Sequence, residues 1–142
     1  MFKVLSPSTV LVLRAGASYF ALVFGAGFLL GSIRIPFLVP RLGERIAELL
    51  EAPVMLAVIL FASRHVVRRF ALAARGSVAV GLLALGLLLA AELALAVAIS
   101  GRSISEYISS RDPVSGSVYL ALVLLYAALP WLHARRSKGS RL

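Results

Sequence analysis

The sequence predicts an all-α membrane protein, folded as a four-helix transmembrane bundle in one domain. Three observations lead to this prediction: 61% of the 142 residues are hydrophobic, the mean hydropathy is +0.97, and the apolar residues come in four long runs. A soluble domain is about 45–50% apolar, and a helix needs roughly 20 apolar residues to cross a bilayer. The alternating segments of about ten residues that are typical of a β-barrel are not visible.

The charge and motif content exclude several classes of function. The chain has no cysteine, and its two histidines form no HExxH or other pair, so we expect no metal and no cofactor. Hydrolase-elbow, P-loop and dinucleotide motifs are absent. The net charge of +9 is explained by the positive-inside rule and by anionic lipids, so we expect the lipid bilayer and no nucleic acid as partner.

The first predicted span is 15–33, a run of 19 residues without a charge that would rise about 28 Å. A signal peptide is the alternative, but the run is long for one and no convincing cleavage site follows it. Small residues repeat every four positions at Ala17, Ala21 and Gly25, and again at Gly27 and Gly31. They predict close packing within the bundle or, as the alternative, the seam of a homo-oligomer.

The second span is predicted at about 46–64, after a segment, 35–46, that we expect at the membrane interface. Pro36 and Pro40 cannot continue a regular helix, so we expect the chain to turn there. The purely apolar part of the second span is too short to cross a bilayer, so Glu48 and Glu51 must enter with it. Charged groups at that depth are costly and usually mark a site.

The third span, 77–100, carries a single charge, Glu92. A short interfacial helix is expected at about 103–110, because Ser103 and Glu106 have the capping-box spacing. Asp112 followed by proline is a favourable helix start, and it begins the fourth span at about 115–132.

The distribution of basic residues predicts a bacterial inner (plasma) membrane protein with both termini in the cytoplasm. Five arginines fall on the other side of the predicted spans, against ten basic residues on the side of the termini. Those ten are Lys3, Arg14, Arg64, Arg68, Arg69, Arg75, Arg135, Arg136, Lys138 and Arg141. Contacts with anionic lipids are expected from Arg64, Arg68, Arg69, Arg135 and Arg136.

Helix spacing places Arg34, Glu51 and Glu92 in one depth zone of the predicted outer half. At about 1.5 Å per residue, Glu51 lies about 20 Å from Arg64, and Glu92 lies about 24 Å from the start of its span. Charges at such a depth should face each other or a water-filled cavity rather than lipid. The spacing therefore predicts a ligand or ion site, with a purely structural ion pair as the alternative.

Three functions are compatible with these charges. A binding or accessory subunit or a small proton-linked transporter would use Glu51 and Glu92, because paired carboxylates in a low dielectric can hold a proton near neutral pH. A membrane enzyme or sensor would act on lipid headgroups at the outer leaflet, an activity that we consider less favoured. A purely structural subunit of a larger membrane complex is the third. Secondary candidates at the outer face are Glu48, Arg102, Glu106, Arg111 and Asp112.

Two stretches carry a resemblance that covers most of the chain: GSIRIPFLVPRLGERIAELLEAPVM and SEYISSRDPVSGSVYLAL. They resemble stretches of small four-span proteins of bacterial inner membranes, a resemblance that implies the architecture and no activity. In its size and the deep acid of span 3 the chain is also similar to small multidrug resistance transporters. Those carry their glutamate in the first span, which here has no charge between Arg14 and Arg34, so this second likeness is architectural.

Overall fold

The computed structural model describes residues 7–101, 103, 105 and 112–139, and within them the structure is helical. The helices are α1 (Pro7–Ile33), α2 (Val39–Leu42), α3 (Glu44–Arg69), α4 (Ala74–Ser100) and α5 (Pro113–Gly139). A π turn, Arg34–Leu38, joins α1 to α2. The predicted interfacial helix at 103–110 lies almost entirely outside the described residues.

The expectation that the chain turns in the proline segment is wrong. Helical structure continues through the π turn and α2, and the turn falls at Gly43, whose φ of 87° and ψ of 161° are essentially restricted to glycine. Each proline removes one helical hydrogen bond, because proline has no backbone N–H. In the π turn the hydrogen bonds span five residues instead of four, and the N–H of Val39 donates to the carbonyl of Arg34. Pro40 then stands in the first turn of α2, where no N–H is needed.

The predicted helix start at Asp112 and Pro113 is confirmed. The carboxylate of Asp112 accepts hydrogen bonds from the backbone N–H groups of Val114, at 3.1 Å, and Ser115, at 2.9 Å. Pro113 is the first residue of α5. Asp112 is therefore the N-cap of α5, and a capping carboxylate satisfies donors that a helix start leaves without intrahelical partners.

The four long helices form a ring in which α1 and α5 each pack against α3 and α4. The short connection at 70–73 therefore joins two helices, α3 and α4, that face each other diagonally. The end of the bundle that holds Glu44 and Asp112 is called the acidic end, and the end that holds Arg64 and Arg135 the basic end. Near the basic end, Ser63 Oγ and His133 Nδ1 lie 2.8 Å apart and tie α3 to α5.

The centre of the bundle is a small, tightly packed core. Tyr19, Val66, Val80 and Tyr126 are fully buried in it. Helices α4 and α5 approach closely at Gly81, because a Cβ there would overlap the backbone carbonyl oxygen of Ala127. The glycine thus allows backbone-to-backbone contact of the kind that small residues provide between membrane helices.

Four helical stretches in the described part of the chain are long and apolar enough to cross a membrane. They are Thr9–Leu42, Glu44–Arg69, Ala74–Ala98 and Pro113–Arg135. Large apolar side chains point away from the core, Phe61 being 78% and Leu29 68% exposed. This pattern suggests a multi-pass membrane protein, in which lipid covers the outward apolar side chains.

Candidate functional site

A cavity of about 720 Å³ lies between the four long helices, and each of them contributes to its wall. Most of its polar residues lie toward the acidic end: Ser32, Arg34, Glu48, Glu51, Glu92, Ser115 and Tyr119. Its opposite part is apolar and reaches Val23, Ile59, Leu88 and Val123, with Tyr126 beside them. The volume is in the range of pockets that take a small organic molecule.

Arg34 and Glu51 form an ion pair in the polar part of this cavity. Arg34 Nη1 donates to Glu51 Oε2 at 2.6 Å, and the side chains are 22% and 12% exposed. Arg34 is the first residue of the π turn, and Glu51 lies two turns into α3. The pair therefore connects the end of α1, where the π turn begins, to α3. The positive charge of Arg34 balances the negative charge of Glu51.

Glu92 enters the same cavity from α4. The hydroxyl of Tyr119, on α5, donates to Glu92 Oε2. This hydrogen bond fixes the position of the Glu92 carboxylate in the cavity. Among the described residues that line the cavity, three carry a carboxylate, Glu48, Glu51 and Glu92, and one carries a guanidinium, Arg34.

The structure thus brings the three primary candidates, Arg34, Glu51 and Glu92, to one cavity. Their role as a ligand or ion site remains a prediction. Sequence reasoning missed Tyr119 as a partner of Glu92. The available signal was its spacing of seven residues from Tyr126, which puts both tyrosines on one face of α5.

The secondary candidates have different positions. Glu48 lines the cavity, whereas Arg102, Glu106 and Arg111 lie outside the described residues. Asp112 is held by Arg45: Nε lies 3.1 Å from each carboxylate oxygen, and Nη2 lies 2.9 Å from Oδ1. Hydrogen bonds from Arg45, and from the backbone N–H of Ser115, hold the pKa of the Asp112 carboxyl well below its usual range. These contacts give Asp112 a structural role, that of joining the starts of α3 and α5.

Two of the small residues that repeat along α1 lie in the wall of the cavity. Gly27 and Gly31 line it, and a Cβ on Gly27 would lie 3.7 Å from the terminal methyl of Met55, an ordinary contact. A Cβ on Gly25 would meet nothing within 4 Å. The second small-residue repeat therefore opens space inside the bundle, while Gly25 leaves a gap on another side of α1.

At the basic end, Arg64, Arg68 and Arg69 of α3 are exposed and surround a shallow recess with His65 and Phe61. Two further contacts involve rings: Arg69 lies over Phe70, and Arg135 lies over Trp131 with its guanidinium carbon 5.3 Å from the ring centroid. The side chain of Arg136 lies outside the described residues. Whether these arginines contact anionic lipids stays a prediction.

The fold and the cavity define a class: an all-helical protein with four helices able to cross a membrane and a charged cavity between them. No protein-family model matches the chain, and no curated protein or solved structure matches it either. Among the described residues, no group of three or more His, Asp or Glu side chains is arranged to hold a metal ion. The function must therefore be argued from the cavity itself.

Proposed function

We propose that the protein binds an organic cation in this cavity, as a binding or accessory subunit or as a small proton-linked transporter. The observation that carries the proposal is that, among the described residues, Glu48, Glu51, Glu92 and Arg34 all line one cavity. An excess of carboxylates in a partly desolvated site attracts positive charge, and apolar walls favour an organic cation over a strongly hydrated metal ion.

The carboxylates have distinct roles in this proposal. Glu51 is balanced by Arg34, which fixes its position. The hydroxyl of Tyr119 orients Glu92 within the cavity, and in this proposal the Glu92 carboxylate contacts the ligand. Because protons and the ligand would compete for the same carboxylates, the affinity should rise as the pH rises, and binding should release protons.

A titration of tetramethylammonium into the protein in phosphatidylcholine nanodiscs tests the proposal. We expect saturable binding that weakens on acidification and that weakens at least about tenfold in Glu92→Gln, the effect of losing an interaction worth about 1.4 kcal/mol. Glu44→Gln is the matched control, because Glu44 is an exposed carboxylate of the same helix end that does not line the cavity. Equal affinities in the two variants would contradict the proposal.

Proteoliposomes distinguish the two forms of the function. A proton-linked transporter would accumulate labelled tetramethylammonium against its gradient when a pH difference is imposed, and Glu92→Gln would not. A binding or accessory subunit would bind the cation with the same pH dependence and show no accumulation.

We further propose that the protein resides in a bacterial-type inner membrane with both termini in the cytoplasm, so that the cavity opens to the outer face. The excess of basic residues on the side of the termini supports this orientation. Because the chain has no cysteine, single-cysteine variants can test it directly. In intact cells, a membrane-impermeant maleimide should label Glu44→Cys, whereas Ala73→Cys should react only after lysis. The reverse pattern would overturn the orientation.

A further inference from the structure

We infer that the outward face of α3 at the basic end binds one phospholipid with a net negative head. The phosphate of this lipid lies against Arg64, Arg68 and Arg69, and its acyl chains lie along Phe61 and the apolar residues before it. The inference concerns the outside of the bundle, so it does not depend on the proposed function of the cavity.

The residues around the basic recess form one continuous face of α3. At about 100° per residue, they fall within about 140° of the helix circumference. They are Phe61, Arg64, His65, Arg68 and Arg69, and all five are exposed. The residues on the opposite side of the same turns are buried: Ala62, Ser63, Val66 and Val67. The face therefore points away from the core, toward the space that lipid fills around a membrane helix.

The same face continues as an apolar surface toward the middle of α3. Val54 and Ala57 precede Phe61 by seven and four residues, which places them on its side of the helix. Val54 is 47% and Phe61 78% exposed, and Ala57 is exposed as well. This apolar surface extends about 10 Å along the helix axis, and the arginines follow it. An apolar length followed by positive charge matches the order of acyl chain and phosphate in a lipid.

The position of the arginines along α3 fits the depth of lipid phosphates. The stretch Glu44–Arg69 is long and apolar enough to cross a membrane, and Arg68 and Arg69 lie in its last turn. Phosphates lie where a spanning helix leaves the hydrocarbon region. Arg64 lies further in, but the apolar stem of an arginine lets its guanidinium group reach outward. All three guanidinium groups can therefore reach the level of the phosphates.

In the part of the chain that the structure describes, no carboxylate lies beside these arginines. The described acidic residues all lie toward the acidic end: Glu44, Glu48, Glu51, Glu92 and Asp112. Guanidinium groups bind phosphate oxygens through two parallel hydrogen bonds. A phosphate without a cation of its own therefore complements this end of α3, whereas the choline ammonium of phosphatidylcholine would be repelled by the arginines.

The other helices offer less to a single phosphate at the basic end. Arg14 of α1 and Arg75 of α4 are each the one basic residue in the described part of their helix. Arg135 of α5 lies over the ring of Trp131. Among the described side chains, α3 alone gathers three guanidinium groups at this end. We therefore expect a preferred lipid position at α3 and a weaker, general attraction elsewhere.

Quenching of a single tryptophan tests the inference at its own position. Trp131 is the one tryptophan of the chain, so Phe61→Trp combined with Trp131→Phe leaves one reporter on the proposed face. Lipids with brominated acyl chains quench an indole that they contact. In phosphatidylcholine liposomes, we expect brominated phosphatidylglycerol to occupy this position at least about fivefold more strongly than brominated phosphatidylcholine, the factor that one arginine contributes near anionic lipid. Without this preference the inference is overturned.

Two triple variants of this reporter protein separate a site from general attraction. Arg64→Gln, Arg68→Gln and Arg69→Gln together should abolish the preference for phosphatidylglycerol. The matched control combines Arg14→Gln, Arg75→Gln and Arg135→Gln, which removes the same charge from exposed arginines of the other three long helices at the same end. The control should keep the preference, and equal losses in the two triple variants would overturn the inference.

Inorganic phosphate distinguishes a lipid site from a site for soluble phosphate. Excess phosphate in the buffer should restore no more fluorescence than chloride at the same ionic strength, because a free phosphate lacks the contacts along Phe61. If phosphate displaces the brominated lipid and chloride does not, the arginines bind a soluble anion and the lipid inference is overturned. The cation titration of the cavity is a separate measurement, so either proposal can fail without the other.

Discussion

The ring of Tyr19 stacks on the ring of Tyr126, with centroids 4.6 Å apart and planes inclined by 25°. The hydroxyl of Tyr19 donates to the backbone carbonyl of Tyr126 at 2.6 Å. The hydroxyl of Tyr126 donates to the carbonyl of Ala84 at 3.0 Å. Both side chains are fully buried, so this pair joins α1, α4 and α5 at the centre of the bundle.

Truncation at the tyrosine pair should be among the most destabilising changes in the protein. We expect Tyr126→Phe to lower the free energy of unfolding by about 1 kcal/mol through the lost hydrogen bond, and Tyr126→Ala by roughly 3–5 kcal/mol. Denaturant unfolding in detergent measures both. Phe61→Ala, at an aromatic ring that is 78% exposed, is the control and should change stability little. Equal losses for Phe61→Ala and Tyr126→Ala would show that the pair does not anchor the core.

Two glycines of α4 should respond differently to the same substitution. In Gly81→Ala, the new methyl would overlap the carbonyl oxygen of Ala127, so α4 and α5 must move apart. We expect a loss of roughly 1–3 kcal/mol, the usual cost of overpacking. In Gly86→Ala, the methyl meets nothing within 4 Å, and stability should stay the same or rise slightly. Thermal unfolding of the two variants side by side tests the packing, which would be wrong if Gly81→Ala were the better tolerated.

The Arg34–Glu51 ion pair should show strong coupling in a double-mutant cycle. Either Arg34→Leu or Glu51→Gln leaves one half-buried partner without its counterpart, so each should cost roughly 1–3 kcal/mol. The double variant should recover part of that loss, because no isolated charge remains. The same cycle with Glu44→Gln in place of Glu51→Gln should show no coupling, since Glu44 is exposed outside the cavity. Additive losses in the Arg34–Glu51 cycle would contradict the pairing.

The lowered pKa of Asp112 should make the stability of the folded protein depend on pH in acid. Its pKa is lowered in the folded protein, relative to about 3.9 in an unfolded chain. Its contribution to stability is therefore present above about pH 4 and is lost as the pH falls through the lower folded value. We expect the melting temperature of wild type to fall on acidification below about pH 4, and to fall less in Asp112→Asn or Arg45→Gln. If both variants follow the wild-type curve, the contacts of Asp112 do not contribute.

The level of a residue along the helix axes was predictable from the sequence, and the direction in which it points around each helix was not. The spacing of Arg34, Glu51 and Glu92 from the helix ends placed them at one level, and they line one cavity. Helix faces could not be assigned, because these helices are apolar on nearly all sides and a hydrophobic stripe is the signal that orients a helix. The stacking of Tyr19 on Tyr126 depends on contacts 107 residues apart, which local patterns do not encode.

The proline segment shows a second limit. Pro36 and Pro40 indicated a break, because a proline disrupts the regular α-helical ladder. The chain instead remains helical here because one turn is a wider π turn, and the sharp change of direction comes at Gly43. By contrast, the start of α5 was predictable, since a capping carboxylate followed by proline acts through neighbouring residues only.

The π turn at Arg34–Leu38 contains one residue more than an α-helical turn would need. Each residue of an α-helix advances the rotation by about 100°. The extra residue therefore changes the rotation of α2 about the helix axis relative to α1. Gly27 and Gly31 of α1 can then face the cavity without fixing which side of α2 faces it. A one-residue deletion within this turn would remove that extra residue and rotate Gly43 and the residues after it by about 100° relative to α1. The geometry of the connection between α1 and α3 thus depends on the length of this single turn.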